Sequence, residues 1–245
     1  MQSRFRLFAG PNGSGKTQLF TVLREQSYIH TELFINADSI ERRLNESMRF
    51  NFNAYHIKVS SSEFRDHVKE SGLLTKSGIA NNINSLEISS GVLKIKIEKQ
   101  ELNSYIASFI ATFLVKKLLH TGQSFCYETV LSHPSKIEFL KQARKNGYKT
   151  YLYFIFTDNW RLNVERVKLR VKQGGHNVDE NKIKSRYFKS LKLFHEASIN
   201  SDITYLIDNS KDFNCVAELR KGKNYKSISN YPDWLRAYYE PKKGK

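Results

Sequence analysis

The stretch Gly10-Pro11-Asn12-Gly13-Ser14-Gly15-Lys16-Thr17 leaves four residues between Gly10 and Gly15 and follows them with a lysine and a hydroxyl. Glycines at this spacing let a backbone wrap closely around a phosphate with several N–H groups pointing inward, and the helix that follows adds partial positive charge. Lys16 then meets the β- and γ-phosphates of a nucleotide as a point charge, and the Thr17 hydroxyl ligates Mg²⁺. Two carboxylates stand at the ends of apolar runs: Asp38 after Leu33 to Ala37, and Glu128 within Ser124 to Val130. A carboxylate so placed can accept a proton from a hydroxyl, while Glu128 with Thr129 can orient substrate hydroxyls or a magnesium-bound water. Both also have structural readings, Asp38 as the N-cap of a helix beginning at Ser39 or Ile40 and Glu128 as the ion-pair partner of an arginine. A basic group completes the set. Arg166, Arg170 and Arg186 flank Gln173-Gly174-Gly175-His176, whose glycines make a flexible corner. The arginines either contact phosphate or form a solvated basic face, and His176 either contacts phosphate or packs on the core.

These residues need a scaffold that brings them together. Arg4 to Gly10 reads as a short strand leading into the glycine turn, and the turn opens a helix through Gln18, Leu19, Val22 and Leu23. Further strands are expected at Leu33 to Ala37, Ser124 to Val130, Thr150 to Phe156 and Ile203 to Ile207, rich in β-branched and aromatic residues. Helical patterns fill Leu102 to Leu119, Pro134 to Lys145, Arg161 to Lys172 and Glu180 to Ala197. Strands alternating with helices imply an α/β fold, a P-loop three-layer sandwich whose parallel sheet is covered on both faces. In that arrangement the Asp38 strand is expected beside the P-loop strand, with Asp38 at the carboxyl edge where ligands bind.

Two segments break the alternation. Phe50 to Asn103 is polar and mixed, with a helix at Glu63 to Glu70 and a hairpin around Ser90-Gly91. It reads as an inserted α+β subdomain, residues 50–103, within a core formed by residues 1–49 and 104–245. The two short helices around Gly72 and the hairpin only faintly suggest a winged helix, and a substrate-side subdomain or a dimer contact is the favoured reading. Val216 to Ile228 reads as a C-terminal hairpin turning at Lys221-Gly222-Lys223, followed by a short helix from Pro232 and the basic tail PKKGK.

Composition bounds the setting. Forty Lys and Arg against 24 Asp and Glu give a formal charge of +16 in 245 residues, so an anionic partner is expected: a phosphate-bearing small molecule, a nucleic acid or an acidic protein. Two distant cysteines, Cys126 and Cys215, make neither a disulfide framework nor a cysteine metal site and read as buried small hydrophobes. The N-terminus runs straight into the nucleotide motif, and the longest apolar stretch is interrupted by Lys116 and Lys117. A cytoplasmic protein without a membrane segment is therefore expected.

No LSGGQ-like signature or NKxD-like motif occurs, which argues against a transport ATPase and a GTPase. The run YLYFIFTD has the hydrophobic-then-acid form of a Walker B strand, so Asp158 is either a metal ligand or a residue at a helix start. What remains is a small-substrate kinase using ATP (or GTP) and Mg²⁺, with Asp38 as base.

FAGPNGSGKT, FINADSI, SFCYETVLSHPSKIEFLKQARKNGYKTYLYFIF and ERVKLRVKQGGHNVDENKIKSRYFKSL together resemble the zeta-toxin-like P-loop kinases, over most of the chain outside Phe50 to Asn103. The resemblance is to the broad zeta-like branch. Zeta toxins phosphorylate UDP-N-acetylglucosamine and block cell-wall synthesis until an antitoxin binds. The resemblance implies that Lys16 holds the phosphates, Asp38 is the general base, Glu128 and Thr129 bind substrate, and Arg166, Arg170 and Arg186 are lid arginines. It further implies a nucleotide-sugar or similar phosphate-bearing acceptor and an antitoxin partner. Two other classes stay open beside it: a nucleic-acid enzyme such as a polynucleotide kinase, and a non-catalytic nucleotide-dependent binding module.

Overall fold

A computed structural model describes residues 2–77, 85–175 and 177–227. In chain order the elements are β1 (Arg4–Ala9), α1 (Lys16–Glu25), β2 (Phe34–Ile35), α2 (Ala37–Ser47), β3 (Arg49–Asn51), α3 (Ser61–Lys69), α4 (Gly72–Ser77), β4 (Leu86–Ser89) and β5 (Val92–Ile95). There follow α5 (Ser104–Leu118), β6 (Phe125–Thr129), α6 (Ser135–Lys145), β7 (Lys149–Phe156), α7 (Trp160–Lys172), α8 (Glu180–Ile199), β8 (Ile203–Asp208), β9 (Asn214–Arg220) and β10 (Lys223–Ser227). The chain groups into two compact units, residues 1–34 with 124–245, and residues 35–123. The segment 50–103 belongs to the second, together with α2 and α5.

The first unit is built on a sheet of order β10-β9-β8-β7-β1-β6-β2. β6, β1, β7 and β8 run parallel, with Ala9 opposite both Thr129 and Phe154 and Phe156 opposite Asp208, so their carboxyl ends share one edge. β9 and β10 add the antiparallel hairpin at the other end. The hairpin turns at Lys221-Gly222, as the sequence predicts. The helix expected from Pro232 and the basic tail lie outside the described residues. Phe8, Ile155, Ile207 and Cys126 project to one face, where Leu19 and Phe20 of α1 cover them, and α6 and α8 pack on the strands from the other, Phe194 lying 4.6 Å from Phe154. Full burial of each such side chain contributes about 1.5–3 kcal/mol, which makes this layer the main anchor of the edge carrying the loops.

Two expectations about β2 need correction. The strand is only Phe34–Ile35, because the Asn36 side chain accepts from the Ser39 N–H and starts α2 at Ala37. β2 also does not neighbour the P-loop strand: β6 lies between them. Apolar periodicity does not encode strand order, and a short β-rich run before a good cap loses its last residues to the helix.

The second unit holds α2, α3, α4, α5 and the sheet β3-β5-β4. Its core is aromatic: Phe50, Phe52, Tyr55, Phe64, Phe109 and Phe113 form a chain of rings with centroids 5.1–6.0 Å apart. α5 is apolar almost all round, which is why nine of its residues are buried and why α2 and α4 both pack on it. Ser90 and Gly91, both at positive φ, make the predicted hairpin turn between β4 and β5. Among the described residues no helix is long and apolar enough to cross a membrane.

Candidate active site

The glycine-rich loop joins β1 to α1. Gly15 occupies the N-cap of α1 at φ +92° with no side-chain cap, and the first turn carries no acid, so the helix start is left to whatever anion approaches. Lys16 is 7% exposed, and its ammonium donates to the Pro11 carbonyl at 2.7 Å. Ser14 is fully buried, and among the described residues its Oγ has no hydrogen-bond partner. The Thr17 hydroxyl donates to Glu128 Oε2 at 2.8 Å, joining the loop to the end of β6.

Gly13, Gly15, Lys16, Thr17, Gln18 and Glu128 line an open cleft of about 470 Å³ together with Arg166, Arg170, Asn209, Lys211, Asp212 and Phe213. Four cations and two carboxylates thus share its lining. Such a cleft can hold a polyphosphate, and the hydroxyl and carboxylate oxygens of Thr17 and Glu128 are the donors a hard cation takes. Among the described residues no group of three or more His, Cys, Asp or Glu is placed to hold a metal ion, so a cation here would draw its remaining oxygens from ligand and water, the habit of Mg²⁺.

The cleft brings together Glu128, Arg166 and Arg170 of the residues singled out beside the loop. Arg166 is held in place, donating to the Asn209 carbonyl at 2.7 Å and to the Ser210 carbonyl at 3.3 Å. Arg186 does not line the cleft; from α8 it reaches Asn12 Oδ1 at 3.4 Å. Thr129 ends β6 opposite Ala9, half-buried. The corner after α7 begins as a hydrogen-bonded helix end, with Gly174 and Gly175 donating back to Val171 and Arg170. His176 lies outside the described residues. Asp38 sits in the first turn of α2 within the second unit, and the cap of that helix is Asn36, not Asp38. Asp158 is an exposed loop residue whose N–H donates to Ser210 Oγ; Asn159 caps α7. Cys126 is buried, as expected, and burial pushes its thiol up to about 12; Cys215 is only half-buried, and burial raises it too.

Sequence reasoning missed Asn163, Asn209 and the residues Lys211 to Phe213. Asn209 follows β8 directly at the carboxyl edge, and Asn163 is a polar residue on the apolar face of α7 beside Val164 and Val167. Asn163 carried a signal, since a buried amide on an apolar face must find partners.

Residues 98–215 match the zeta toxin family model. Over those residues, just under half of its length, the chain is similar to zeta toxins. The zeta-toxin match takes in Glu128, Arg166, Arg170 and Asn209 but begins after the glycine-rich loop and Asp38. An uncharacterized protein of Haemophilus influenzae is 39% identical over 75 residues, 31% of this chain and 51% of that protein, so the chain spans about half that relative's length. Among solved structures, the AvrRxo1-ORF1:-ORF2 complex with ATP aligns with a TM-score of 0.56 at 14% identity, over 93% of this chain and 61% of that one. The PezAT chromosomal toxin–antitoxin system of Streptococcus pneumoniae aligns with a TM-score of 0.52 at 13% identity, over 97% of this chain and 82% of that one. At such identities the likeness is one of fold, and it agrees with the α/β architecture and mostly parallel sheet described above.

Proposed function

We propose that this protein is an ATP-dependent phosphotransferase that moves the γ-phosphoryl group to a hydroxyl of a nucleotide-sugar or a similar phosphate-bearing metabolite, as the toxin of a toxin–antitoxin pair. The observation that carries this reading is the cleft in which the glycine-rich loop, the Thr17–Glu128 hydrogen bond, Arg166 and Arg170 converge. The zeta-toxin match supports it, as do a neighbour crystallised with ATP and another described as a toxin–antitoxin system.

Residues Gly10 to Thr17 are assigned the nucleotide phosphates, with Lys16 countering the β/γ charge. Thr17 and Glu128 are the groups that would hold Mg²⁺, which when bound neutralises charge on the phosphates. Arg166 and Arg170, which line the same cleft, are assigned to the transferring group, and Arg186 supports the loop through Asn12. Glu128 and Thr129 are assigned to the acceptor. The acceptor oxygen forms a bond to the γ-phosphorus as the bond to the β–γ bridging oxygen breaks and the nucleoside diphosphate leaves. The hydroxyl proton passes to Asp38, in the first turn of α2. We place this activity in the cytoplasm, where ATP and nucleotide sugars are found, with the +16 charge suited to an acidic antitoxin.

The test is transfer from γ-labelled ATP into a metabolite extract, with single-stranded RNA and DNA assayed in parallel. Label recovered in a nucleotide-sugar, and absent with Lys16→Ala, is the expected result. Label on polynucleotide ends would move the protein to the nucleic-acid class, and no Lys16-dependent label in any arm would leave it a binding module.

A further inference from the structure

The glycine-rich loop is gripped by two buried asparagines that no motif contains. Asn163, fully buried on α7, donates through Nδ2 to the Asn12 carbonyl at 2.6 Å. Asn209, 6% exposed just after β8, donates through Nδ2 to the Ser14 carbonyl at 2.9 Å. Both amides are themselves fixed. Asn163 Oδ1 accepts from the buried Thr157 hydroxyl, and the Thr157 carbonyl accepts from Tyr187 at 2.6 Å. The Asn209 N–H donates to the Phe156 carbonyl at 2.9 Å, and its own carbonyl accepts from Arg166.

A peptide group is planar and trans, so its N–H points opposite to its carbonyl. Holding the carbonyls of Asn12 and Ser14 therefore sets the direction of the Gly13 and Gly15 N–H groups, away from the asparagines, and both glycines line the cleft. N–H groups of one loop turned to the same side make a concavity that suits an anion. The grip is close: a Cβ on Gly13 would lie 2.6 Å from the Asn163 carbonyl oxygen, and one on Gly15 would lie 2.4 Å from Asn209 Nδ2. Gly13 is thus required by the backbone of α7 at residue 163, and Gly15 by the Asn209 amide, as much as by the phosphate.

We infer that Asn163 and Asn209 are positioning residues that preorganise the loop for phosphate by fixing the 12–13 and 14–15 peptide planes. They touch no reacting atom and act through the loop. Asn209 also joins the loop to Arg166, so the two share one anchor. The inference rests on the proposed phosphate site, and the test keeps the two apart.

ATP and tripolyphosphate are titrated calorimetrically into the wild-type chain, Asn209→Ala, Asn163→Ala and Lys16→Ala. Each asparagine variant is expected to bind both probes with full stoichiometry and roughly ten-fold weaker affinity, the effect of one net hydrogen bond. Equal factors for the two probes are diagnostic, because the defect lies in the phosphate loop and not at the nucleoside. Unchanged affinity with reduced stoichiometry would mean that the amides only support folding and would overturn the inference, as would weakening of ATP without tripolyphosphate. If Asn163→Ala does not fold, Asn209→Ala, at the cleft wall, carries the test. Should Lys16→Ala bind tripolyphosphate as the wild type does, the phosphate site itself is wrong. If Lys16→Ala loses binding and the asparagine variants keep it, only the present inference fails.

Discussion

The two units are held together by different physics. Around the glycine-rich loop the buried contacts are polar and directional: the amides of Asn163 and Asn209, the Tyr187 hydroxyl and the Arg166 guanidinium each meet a named acceptor. In the second unit the contacts are those of an aromatic chain from Tyr55 through Phe50, Phe52 and Phe64 to Phe109 and Phe113. Aromatic packing gives stability from area and tolerates small displacements, whereas a hydrogen bond to one carbonyl fixes a peptide plane. The difference teaches where precision is needed. Substitutions at the cleft lining of the loop should change nucleotide binding more than stability, and substitutions in the aromatic core should change stability at nearly constant nucleotide affinity.

The largest effect is expected from Lys16→Ala, which removes the loop's buried cation. It should abolish phosphoryl transfer and weaken ATP binding while leaving the thermal midpoint close to that of the wild type. Equal ATP affinity and turnover in this variant would remove the loop from the chemistry. Asp38→Asn comes next. Turnover should fall by roughly two to four powers of ten, about 3 to 5 kcal/mol in the transition state, with ATP affinity nearly unchanged. Asn36 is the cap of α2, so the substitution leaves the cap intact, and wild-type turnover would show that Asp38 is not the base.

Phe113→Ala tests the other side of the comparison. Phe113 is 2% exposed and touches the rings of Phe52 and Phe64, and its truncation should cost about 3–5 kcal/mol of stability in urea denaturation. ATP affinity measured on the folded fraction should not move. A parallel loss of affinity would mean that the two units do not divide the work as their contacts suggest.

The smallest effect concerns His67. Its ring stacks 5.2 Å from Phe109, its Nε2 is buried with no hydrogen-bond partner among the described residues, and burial, helped by the Lys116 charge and opposed by Glu63, lowers its pKa from 6.5 to about 4. In the unfolded chain the imidazole takes up a proton near 6.5, so between about 4 and 6.5 the unfolded state binds more protons than the folded one. Stability from this group is therefore complete above 6.5 and is lost as pH falls toward 4. His67→Phe, which keeps a ring against Phe109 and removes the titration, should show a shallower fall in thermal midpoint over that range. Lys117, paired with Glu63 at 2.7 Å, faces the same helix surface and should be kept intact in the comparison. Identical slopes would assign the acid sensitivity elsewhere.

Much of this protein is set locally and was legible as such. The glycine-rich loop, the strand before it and the helix after it follow from backbone freedom, β-branched and aromatic residues, and periodicity over a few turns, and the structure has them within a residue or two. The hairpin at Ser90-Gly91 follows from two residues that enter positive φ. Strand order was not legible: the insertion of β6 between β1 and β2, which brings Glu128 to Thr17, depends on which strands can bury each other's faces. Nor could a helical repeat say which side of α7 meets the loop, and so which of its polar residues reach Asn12 and the cleft. The sequence by itself determined a phosphate-binding turn and the elements on either side of it. Only the tertiary structure decided that Asn163 and Asn209, 151 and 195 residues along the chain from the carbonyls they hold, would fix the direction of the loop's N–H groups. A hydrogen bond is satisfied by geometry in space, and distance along the chain carries no record of it.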